Sequence, residues 1–229
     1  MENRTINIGV VEEVAAALKS FKEQIVFIGG AVVSLYADDA AADEIRPTGD
    51  IDMTVNLAGY GKWSQMEKQL VTLGFYPDPR GHSICSYRYK NIPIDIMSAF
   101  DGPLGPANKW YKIGFEDLWT VKAINESIKI FKAPCYLATK FEAFNDRGEQ
   151  NHRTSHDFED IIYVIDNRIN IVDEIAKTDE RIKVFLISEV IKILGSPYFK
   201  DILSVYLHPL IAEERYPLLL EKFMDIRNI

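Results

Sequence analysis

The stretch FIGGAVVSLYADDAAADEIRPTGDIDM, residues 27–53, joins the end of one apolar run to the start of another. Gly29 and Gly30 close the first run, QIVFI. Asp50 and Asp52 open the second run, IDMTVNL. A buried carboxylate costs free energy unless a positive group lies beside it. The stretch therefore predicts a strand on each side and a positively charged partner for the two aspartates.

Strand-like and helix-like segments alternate on both sides of this stretch. Alternating apolar residues predict strands at residues 51–57, 84–90 and 92–98, the last two forming a hairpin. Apolar spacing of three and four residues predicts a helix at residues 62–74, which ends at Gly74. This mixture indicates a small α/β or α+β sheet domain.

After about Leu118 the pattern becomes mostly helical. The segment SIKIFKAP, residues 127–134, is the candidate for a last strand. A helix is predicted at residues 134–148, because this segment begins with proline and ends with glycine. A second helix is predicted at residues 155–167, with Ser155 as the expected N-cap. We expect a mixed N-terminal domain and a helical C-terminal half, with a boundary near residues 115–130.

The composition is that of an ordinary globular chain of 229 residues, 47% hydrophobic and 26% charged. The formal net charge of −8 argues against a protein that mainly grips nucleic-acid backbone, so any RNA contact has to come from a local patch. No apolar run approaches the roughly 20 residues that span a bilayer, and no signal peptide is evident. Two cysteines without metal-ligand spacing predict reduced thiols and a cytoplasmic location.

Three carboxylates are expected to meet at one place in the sheet. Asp50 and Asp52 project from the same face of a strand, and Asp95 lies in the strand PIDIMS. If these strands are neighbours, mutual repulsion requires protons or cations between the carboxylates. Hard oxygen ligands without His or Cys select Mg²⁺ or Mn²⁺. Two such ions can clamp an NTP and an attacking hydroxyl for in-line displacement.

The glycine pair fits the same chemistry. Glycines between a strand and a helix let backbone N–H groups approach phosphate oxygens. Alone, either the pair or Asp-x-Asp is weak evidence, since both are common in turns. The ordered set of Gly29 and Gly30, then Asp50 and Asp52, then Asp95 is far more specific.

These residues, with LATKFEAFNDRG and SHDFEDIIYVID further along, resemble the nucleotidyltransferases of the AbiEii/AbiGii abortive-infection toxin family. The wider group is the DNA polymerase β-like nucleotidyltransferase superfamily. The resemblance covers about residues 24–166. It implies an α+β fold, with a nucleotidyltransferase-type mixed sheet domain at residues 1–125 and a helical domain at 126–229 that completes the active-site cleft.

The resemblance also implies roles for single residues. Gly29 and Gly30 would form the phosphate-binding turn, and Asp50 and Asp52 would bind metal. Asp95 fits the third carboxylate of the wider superfamily, as a metal ligand or as the base for the acceptor. Lys140 would match the family's later lysine, which steadies the triphosphate, and Asp157 or Asp160 its final acidic motif. The long acidic insert between Gly30 and Asp50 departs from the family, so no base preference is carried over.

Helical geometry tests the later motifs independently. Lys140 lies in the middle of the apolar stripe formed by Leu137, Phe141 and Phe144, which favours a functional ammonium over a solvated one. On the next helix, Asp157 lies about 90° and Asp160 about 150° from the centre of the apolar stripe.

We therefore expect Asp157 to reach an interior cleft and Asp160 to point outward, although both could simply be first-turn acids. His152 and His156 are four residues apart but lack the glutamate of an HExxH site, so a polar loop is the better interpretation.

The predicted reaction is metal-dependent transfer of a nucleoside monophosphate from an NTP to an acceptor hydroxyl. By resemblance, the chain would be the toxin of a bacterial toxin–antitoxin or phage-defence system, with RNA (tRNA) or a protein as acceptor and a cognate antitoxin as partner. Three other interpretations stay open: a degenerate nucleotide-binding or regulatory module, a nucleotidyltransferase acting on a small molecule such as an antibiotic, and a protein-interaction surface on the helical half.

Overall fold

A computed structural model gives the structure of the chain and describes residues 6–43, 45–57, 59–81, 85–100, 108–147 and 151–229. The chain forms two compact units. The sheet unit comprises Met1–Val32 and Arg46–Lys132, and the helical unit comprises Val33–Ile45 and Ala133–Ile229. The functional division at residue 125 stays a prediction.

Among the described residues, the sheet unit holds a mixed sheet with helices. Its strands are β1 (Ile25–Ile28), β2 (Ile51–Val55), β3 (Phe75–Pro77), β4 (Ser86–Tyr89), β5 (Ile92–Ser98), β6 (Leu118–Ala123) and β7 (Glu126–Phe131). Its helices are α1 (Ile8–Ala17), α2 (Tyr60–Thr72) and α3 (Tyr111–Gly114), with a 3₁₀ turn at Lys19–Phe21. A second 3₁₀ helix, Gly30–Tyr36, begins in this unit directly after β1.

The strand order is β3-β4-β5-β2-β1-β7-β6. The central strand β2 runs antiparallel to β1 and parallel to β5, and β1 runs parallel to β7. Every residue of β1 is buried, as expected for a strand in the middle of a sheet. This order makes β2 and β5 direct neighbours, so Asp52 and Asp95 lie side by side on adjacent strands.

The helical unit contains six α-helices among its described residues. They are α4 (Ala133–Asp146), α5 (His156–Asn167), α6 (Ile171–Ala176), α7 (Glu180–Leu194), α8 (Phe199–Ser204) and α9 (Ala212–Asn228). The predicted N-cap of α5 is confirmed, since the Ser155 hydroxyl accepts a hydrogen bond from the Phe158 N–H. None of the helices in the described part of the chain is long and apolar enough to cross a membrane.

The segment 33–45 belongs to the helical unit although it lies between two parts of the sheet unit in sequence. The Asp38 and Asp39 N–H groups donate hydrogen bonds to the Asn167 carbonyl at the end of α5. Asp38 Oδ2 also forms an ion pair with Arg168 Nη1 at 3.0 Å, and Asp39 Oδ2 forms one with Arg215 Nη1 at 2.6 Å. The acidic insert is therefore tied to α5 and α9 by main-chain hydrogen bonds and ion pairs.

The α+β fold predicted from the sequence is confirmed, with a mixed sheet followed by helices. The hairpin is confirmed as β4 and β5, although Ile84, where its first strand was predicted to begin, lies outside the described residues. The helix predicted at residues 134–148 is confirmed as α4, and Gly148, its predicted end, lies outside them too.

One prediction was wrong: the chain after Leu118 first forms strand β6, which pairs antiparallel with β7. The two-residue turn between them contains Ile124, whose φ of 60° is unusual for a β-branched residue. β6 carries the aromatic and β-branched residues Trp119, Thr120 and Val121, which favour extended structure. Its pairing with β7 makes this part of the chain a strand, and the helices begin only after β7.

Candidate metal centre

The Asp triad, Asp50, Asp52 and Asp95, converges at one place in the sheet unit. Asp52 in β2 lies opposite Asp95 in β5 in the parallel register, and Asp50 directly precedes β2. One carboxylate oxygen from each residue lies within 4.8 Å of the others, and all three side chains are half-buried. The described residues hold no other group of three or more His, Cys, Asp or Glu side chains arranged to hold a metal.

Two hydroxyl groups orient carboxylates of the triad. The Ser86 Oγ donates a hydrogen bond to Asp95 Oδ1 at 2.6 Å, and the Thr48 Oγ1 donates one to Asp50 Oδ1 at 3.2 Å. A hydroxyl fixes the direction of a carboxylate but brings no positive charge. The arrangement therefore holds like charges close together without cancelling them through these two contacts.

The donor set suits a hard divalent cation. Three carboxylate oxygens at this spacing match the ligands that Mg²⁺ and Mn²⁺ prefer. The neighbouring Cys85 is not suited to compete as a thiolate ligand, because burial and the nearby charge of Asp95 raise the pKa of its thiol. The side chains present thus fit a magnesium or manganese site.

Gly29 lies directly against the Asp triad. Its φ of +72° is a conformation that L side chains rarely adopt, and a Cβ at this position would overlap the Asp52 carboxylate. Gly30 is less constrained: a Cβ there would lie 3.4 Å from Thr48 Oγ1 and 3.6 Å from Arg46 Nη2. Glycine at position 29 is therefore what allows the main chain to pass so close to the carboxylate.

The other predicted residues lie in the helical unit, where they form what we call the lysine cluster: Lys140, Arg147, Asp157 and Asp160. The Lys140 ammonium on α4 lies 3.0 Å from Asp157 Oδ1 and 2.7 Å from Asp160 Oδ2 on α5. Arg147 Nη1 lies 2.8 Å from Asp157 Oδ2. The Tyr136 hydroxyl donates a weak hydrogen bond to Asp160 at 3.4 Å.

The charges of the lysine cluster balance one another. Burial by itself lowers the pKa of Lys140, but the attraction of Asp160 and Asp157 outweighs it, so the pKa of Lys140 is raised overall. The ammonium stays protonated and is held by two carboxylates.

The expected orientation of Asp160 was wrong. Asp157 is buried as predicted, but Asp160, which was expected to point outward, is 0% exposed and binds the Lys140 ammonium. The helical-wheel argument assumed that α5 has one covered face. In the structure α5 packs against both α4 and α9, so a residue about 150° from the apolar stripe is still covered.

The histidines and cysteines singled out in the sequence lie outside the Asp triad. The His152 ring contacts Phe144 and Phe158, with ring centroids 5.0 and 4.7 Å apart, and His156 begins α5 beside Glu159. Neither histidine belongs to a described metal-binding group. Cys85 and Cys135 are both buried free thiols.

Sequence reasoning missed Ser86 and Arg147. Ser86 could have been found from the hairpin: with Lys90 and Asn91 as a two-residue turn, the antiparallel register places residue 86 opposite Asp95. The pairing of Arg147 with Asp157 gave no signal, because a basic residue near the end of a helix is usually a solvent-exposed charge.

Comparison with known proteins agrees with this fold. The sequence matches no protein-family model and no curated protein. Among solved structures, an antigenic nucleotidyltransferase-like protein from Paracoccidioides brasiliensis is similar, with a TM-score of 0.50 and 17% sequence identity. The match covers 90% of this chain and 96% of that one. At this identity the likeness shows the fold, and the fold is that of a nucleotidyltransferase-like protein.

Proposed function

We propose that this chain is a metal-dependent nucleotidyltransferase. It would move a nucleoside monophosphate from an NTP to an acceptor hydroxyl and release pyrophosphate. The observation that carries the proposal is the convergence of Asp50, Asp52 and Asp95 beside the Gly29 turn, on a nucleotidyltransferase-like fold. Three carboxylate oxygens within 4.8 Å of one another form a ligand set that a divalent cation can bind.

In this proposal the Asp triad holds Mg²⁺ or Mn²⁺. A divalent cation bound there would supply positive charge to the phosphate oxygens and lower the pKa of the attacking hydroxyl. The acceptor oxygen bonds to the α-phosphorus, the bond from that phosphorus to the bridging oxygen breaks, and pyrophosphate leaves. Asp95 serves either as the third ligand or as the base that takes the hydroxyl proton.

The other predicted residues have supporting roles in the proposal. The main chain at Gly29 and Gly30 would approach the phosphates, since glycine leaves backbone N–H groups accessible. Lys140 would steady the triphosphate, with Asp157 and Asp160 as the residues that hold its ammonium in place. This assignment for Lys140 rests on the sequence resemblance and on the raised pKa that keeps it charged.

The biological role that we propose is the toxin of a toxin–antitoxin or phage-defence pair of the AbiEii/AbiGii type. It rests on the ordered motifs of residues 24–166. RNA, in particular tRNA, or a protein is the proposed acceptor, a cognate antitoxin the proposed partner, and the cytoplasm the proposed location. The net charge of −8 favours an acceptor bound through a local surface.

The direct test is label transfer. The purified chain with Mg²⁺ receives each α-labelled NTP in turn, together with total RNA and cell extract. We expect label on RNA or protein with one or more NTPs, and at least about a thousandfold less with Asp50→Asn/Asp52→Asn, because several kcal/mol of transition-state stabilisation are lost.

Asp117→Asn is the matched control, because Asp117 is an exposed carboxylate of the sheet unit that pairs with Lys132. It should transfer label like the wild type. Label on a small molecule in the extract would instead favour an antibiotic-modifying or similar enzyme. Absence of label with every NTP, with Mn²⁺ as well as Mg²⁺ and a folded chain, would contradict the proposal and favour a binding module.

A further inference from the structure

The helical unit carries a groove along α6 and α9, which we call the acidic groove. Its volume of about 470 Å³ lies within the 300–1,000 Å³ or so of typical small-molecule sites. Its lining combines two basic side chains, Arg215 and Lys222, with five carboxylates, those of Asp39, Asp166, Asp173, Glu221 and Asp225. The groove shares no residue with the Asp triad or with the lysine cluster.

Aliphatic side chains form part of the same lining. Ile169, in the segment before α6, is 59% exposed, and Leu218 on α9 is 51% exposed. Val172 on α6 also lines the groove. A single exposed apolar side chain is common on protein surfaces, but here three line one concave site. The groove therefore offers contact to a hydrocarbon chain as well as to charge.

Three of the carboxylates in the lining have no positive partner. Asp173, Glu221 and Asp225 are exposed, and within the described ranges of the chain their carboxylates form no ion pair or hydrogen bond. On α9, Leu218, Glu221 and Asp225 follow at intervals of three and four residues, which places them on one face of the helix. Two unpaired carboxylates therefore lie one turn apart, beside an aliphatic side chain.

The basic side chains of the lining are bound elsewhere. The Lys222 ammonium donates hydrogen bonds to three main-chain carbonyls at the C-terminal end of α5, at 2.7, 3.0 and 3.1 Å. An ammonium has three N–H donors, so all of them are in use. The Arg215 guanidinium pairs with Asp39 at 2.6 Å and with Asp166 at 3.0 Å. Neither cation neutralises the exposed carboxylates, so the groove carries an excess of negative charge.

Asp166, which is 7% exposed, gives independent evidence of missing positive charge. Its Oδ1 lies 3.0 Å from Arg215 Nη2 but accepts no hydrogen bond from the described residues. Both hydrogens of that nitrogen are donated elsewhere, to the Asp166 carbonyl and to Asn167 Oδ1. Burial raises the pKa of the Asp166 carboxyl above its ordinary value, and Arg215 offsets this only in part. A cation in the groove would stabilise this carboxylate.

We propose that the acidic groove binds a linear polyamine, which is an aliphatic chain that carries two or more ammonium groups. Glu221 and Asp225 are four residues apart, which is about 6 Å along a helix. Two ammonium groups joined by four methylenes in an extended chain are separated by about the same 6 Å.

In the bound polyamine, the ammonium groups pair with the carboxylates and the methylenes contact Leu218 and Ile169. Such a ligand satisfies the excess negative charge and the aliphatic side chains together. This inference goes beyond the proposed transfer reaction and involves none of the residues of that reaction.

The test is a calorimetric titration of the full chain, at low salt and without metal, with 1,4-diaminobutane and with spermidine. We expect both to bind, and spermidine to bind more tightly because it carries one more charge. Glu221→Gln/Asp225→Asn should weaken spermidine binding at least about tenfold, because two ion pairs are lost. Leu218→Ser should weaken it about threefold, because contact with the methylenes is lost.

Matched variants separate the groove from the general charge of the surface. Glu213→Gln/Glu214→Gln removes two exposed carboxylates of the same helix outside the groove, and so changes the net charge equally. Leu210→Ser alters a leucine that is 88% exposed and lies outside the groove. Both should bind spermidine like the wild type, and so should Asp50→Asn/Asp52→Asn.

Three results would overturn the proposal. The first is no binding of spermidine at millimolar concentration, and the second is an equal loss of binding in Glu221→Gln/Asp225→Asn and Glu213→Gln/Glu214→Gln. The third is tighter binding of a tetralysine peptide than of spermidine, lost in Glu221→Gln/Asp225→Asn, which would assign the groove to a basic protein partner. The label-transfer assay does not depend on any of these outcomes, so the proposed function and this inference can fail separately.

Discussion

The Asp triad and the lysine cluster are both built around carboxylates, but their neighbours differ. In the triad, carboxylates face one another, and hydroxyls of Ser86 and Thr48 orient two of them. In the lysine cluster, each carboxylate is bound by an ammonium or a guanidinium. The triad is half-buried, whereas the members of the cluster on α5 are fully covered.

The lysine cluster contributes to the stability of the folded chain, whereas the Asp triad offers ligand atoms for a cation. A buried cluster whose charges cancel is costly to break, because any one removal leaves an uncompensated charge. A half-buried group of carboxylates that offers oxygen ligands stabilises the folded chain when a cation binds to it. The same residue type therefore pairs with positive side chains in one unit and offers oxygen atoms that could hold a metal ion in the other.

The largest expected effect comes from Lys140→Met. This change leaves Asp157 and Asp160 short of a positive partner in the interior, and we expect the free energy of unfolding to fall by about 3–5 kcal/mol. Urea unfolding followed by circular dichroism measures it. Lys200→Met, at an exposed lysine on α8, should change it by less than about 0.5 kcal/mol.

The same measurement on Asp50→Asn/Asp52→Asn sharpens the comparison. Without metal, this double variant should change the free energy of unfolding by less than about 1 kcal/mol, since it removes repulsion in a half-buried site. With saturating Mg²⁺, the wild type should gain stability and the variant should not. A large loss of stability in the metal-free variant would show that the Asp triad stabilises the fold as the lysine cluster does, and would contradict the difference between them.

An effect on stability smaller than that of Lys140→Met is expected for Gly29→Ala. The added Cβ strains the backbone and overlaps the Asp52 carboxylate, which should cost about 1–3 kcal/mol of stability and remove Mn²⁺ binding. Gly74→Ala is the control: its φ is +90°, but a Cβ there would meet only the Tyr89 ring, at 3.7 Å. That variant should lose stability and bind Mn²⁺ normally. Calorimetry with Mn²⁺ separates the two, and equal Mn²⁺ affinity would contradict the close contact.

The smallest effect concerns Ser86→Ala. Losing the hydroxyl frees Asp95 to rotate, and we expect Mn²⁺ to bind about tenfold more weakly, the lower end of what outer-shell partners contribute. Ser98→Ala removes a comparably buried serine of the same sheet that donates to the Leu57 carbonyl instead. If both variants bind Mn²⁺ alike, Ser86 does not position the triad.

The Asp triad could be predicted from the sequence because the positions of its side chains follow from the geometry of single strands. The period of two along a strand places Asp52 and Asp95 on definite faces, and only the pairing of β2 with β5 had to be assumed. The glycine turn followed from chemistry as well, although the overlap with Asp52 depends on a backbone angle that no residue pattern reveals.

The errors arose where packing on a second side decides the outcome. Asp160 is covered because α5 has helices on two sides, which its own sequence does not report. Strand β6 exists because β7 is available to pair with it, and isolated strand propensity is a weak guide. Arg147 joins Asp157 from the exposed end of α4, where a basic residue normally faces water.

The ties of Asp38 and Asp39 to α5 and α9 have a consequence for protein engineering. Because segment 33–45 belongs to the helical unit, the polypeptide passes between the units three times, after Val32, Ile45 and Lys132. No single cut yields two complete fragments. A gene encoding only 133–229 would give helices in which Arg215 has lost Asp39, so expression of that half requires the segment 33–45 to be supplied as a fused or added peptide.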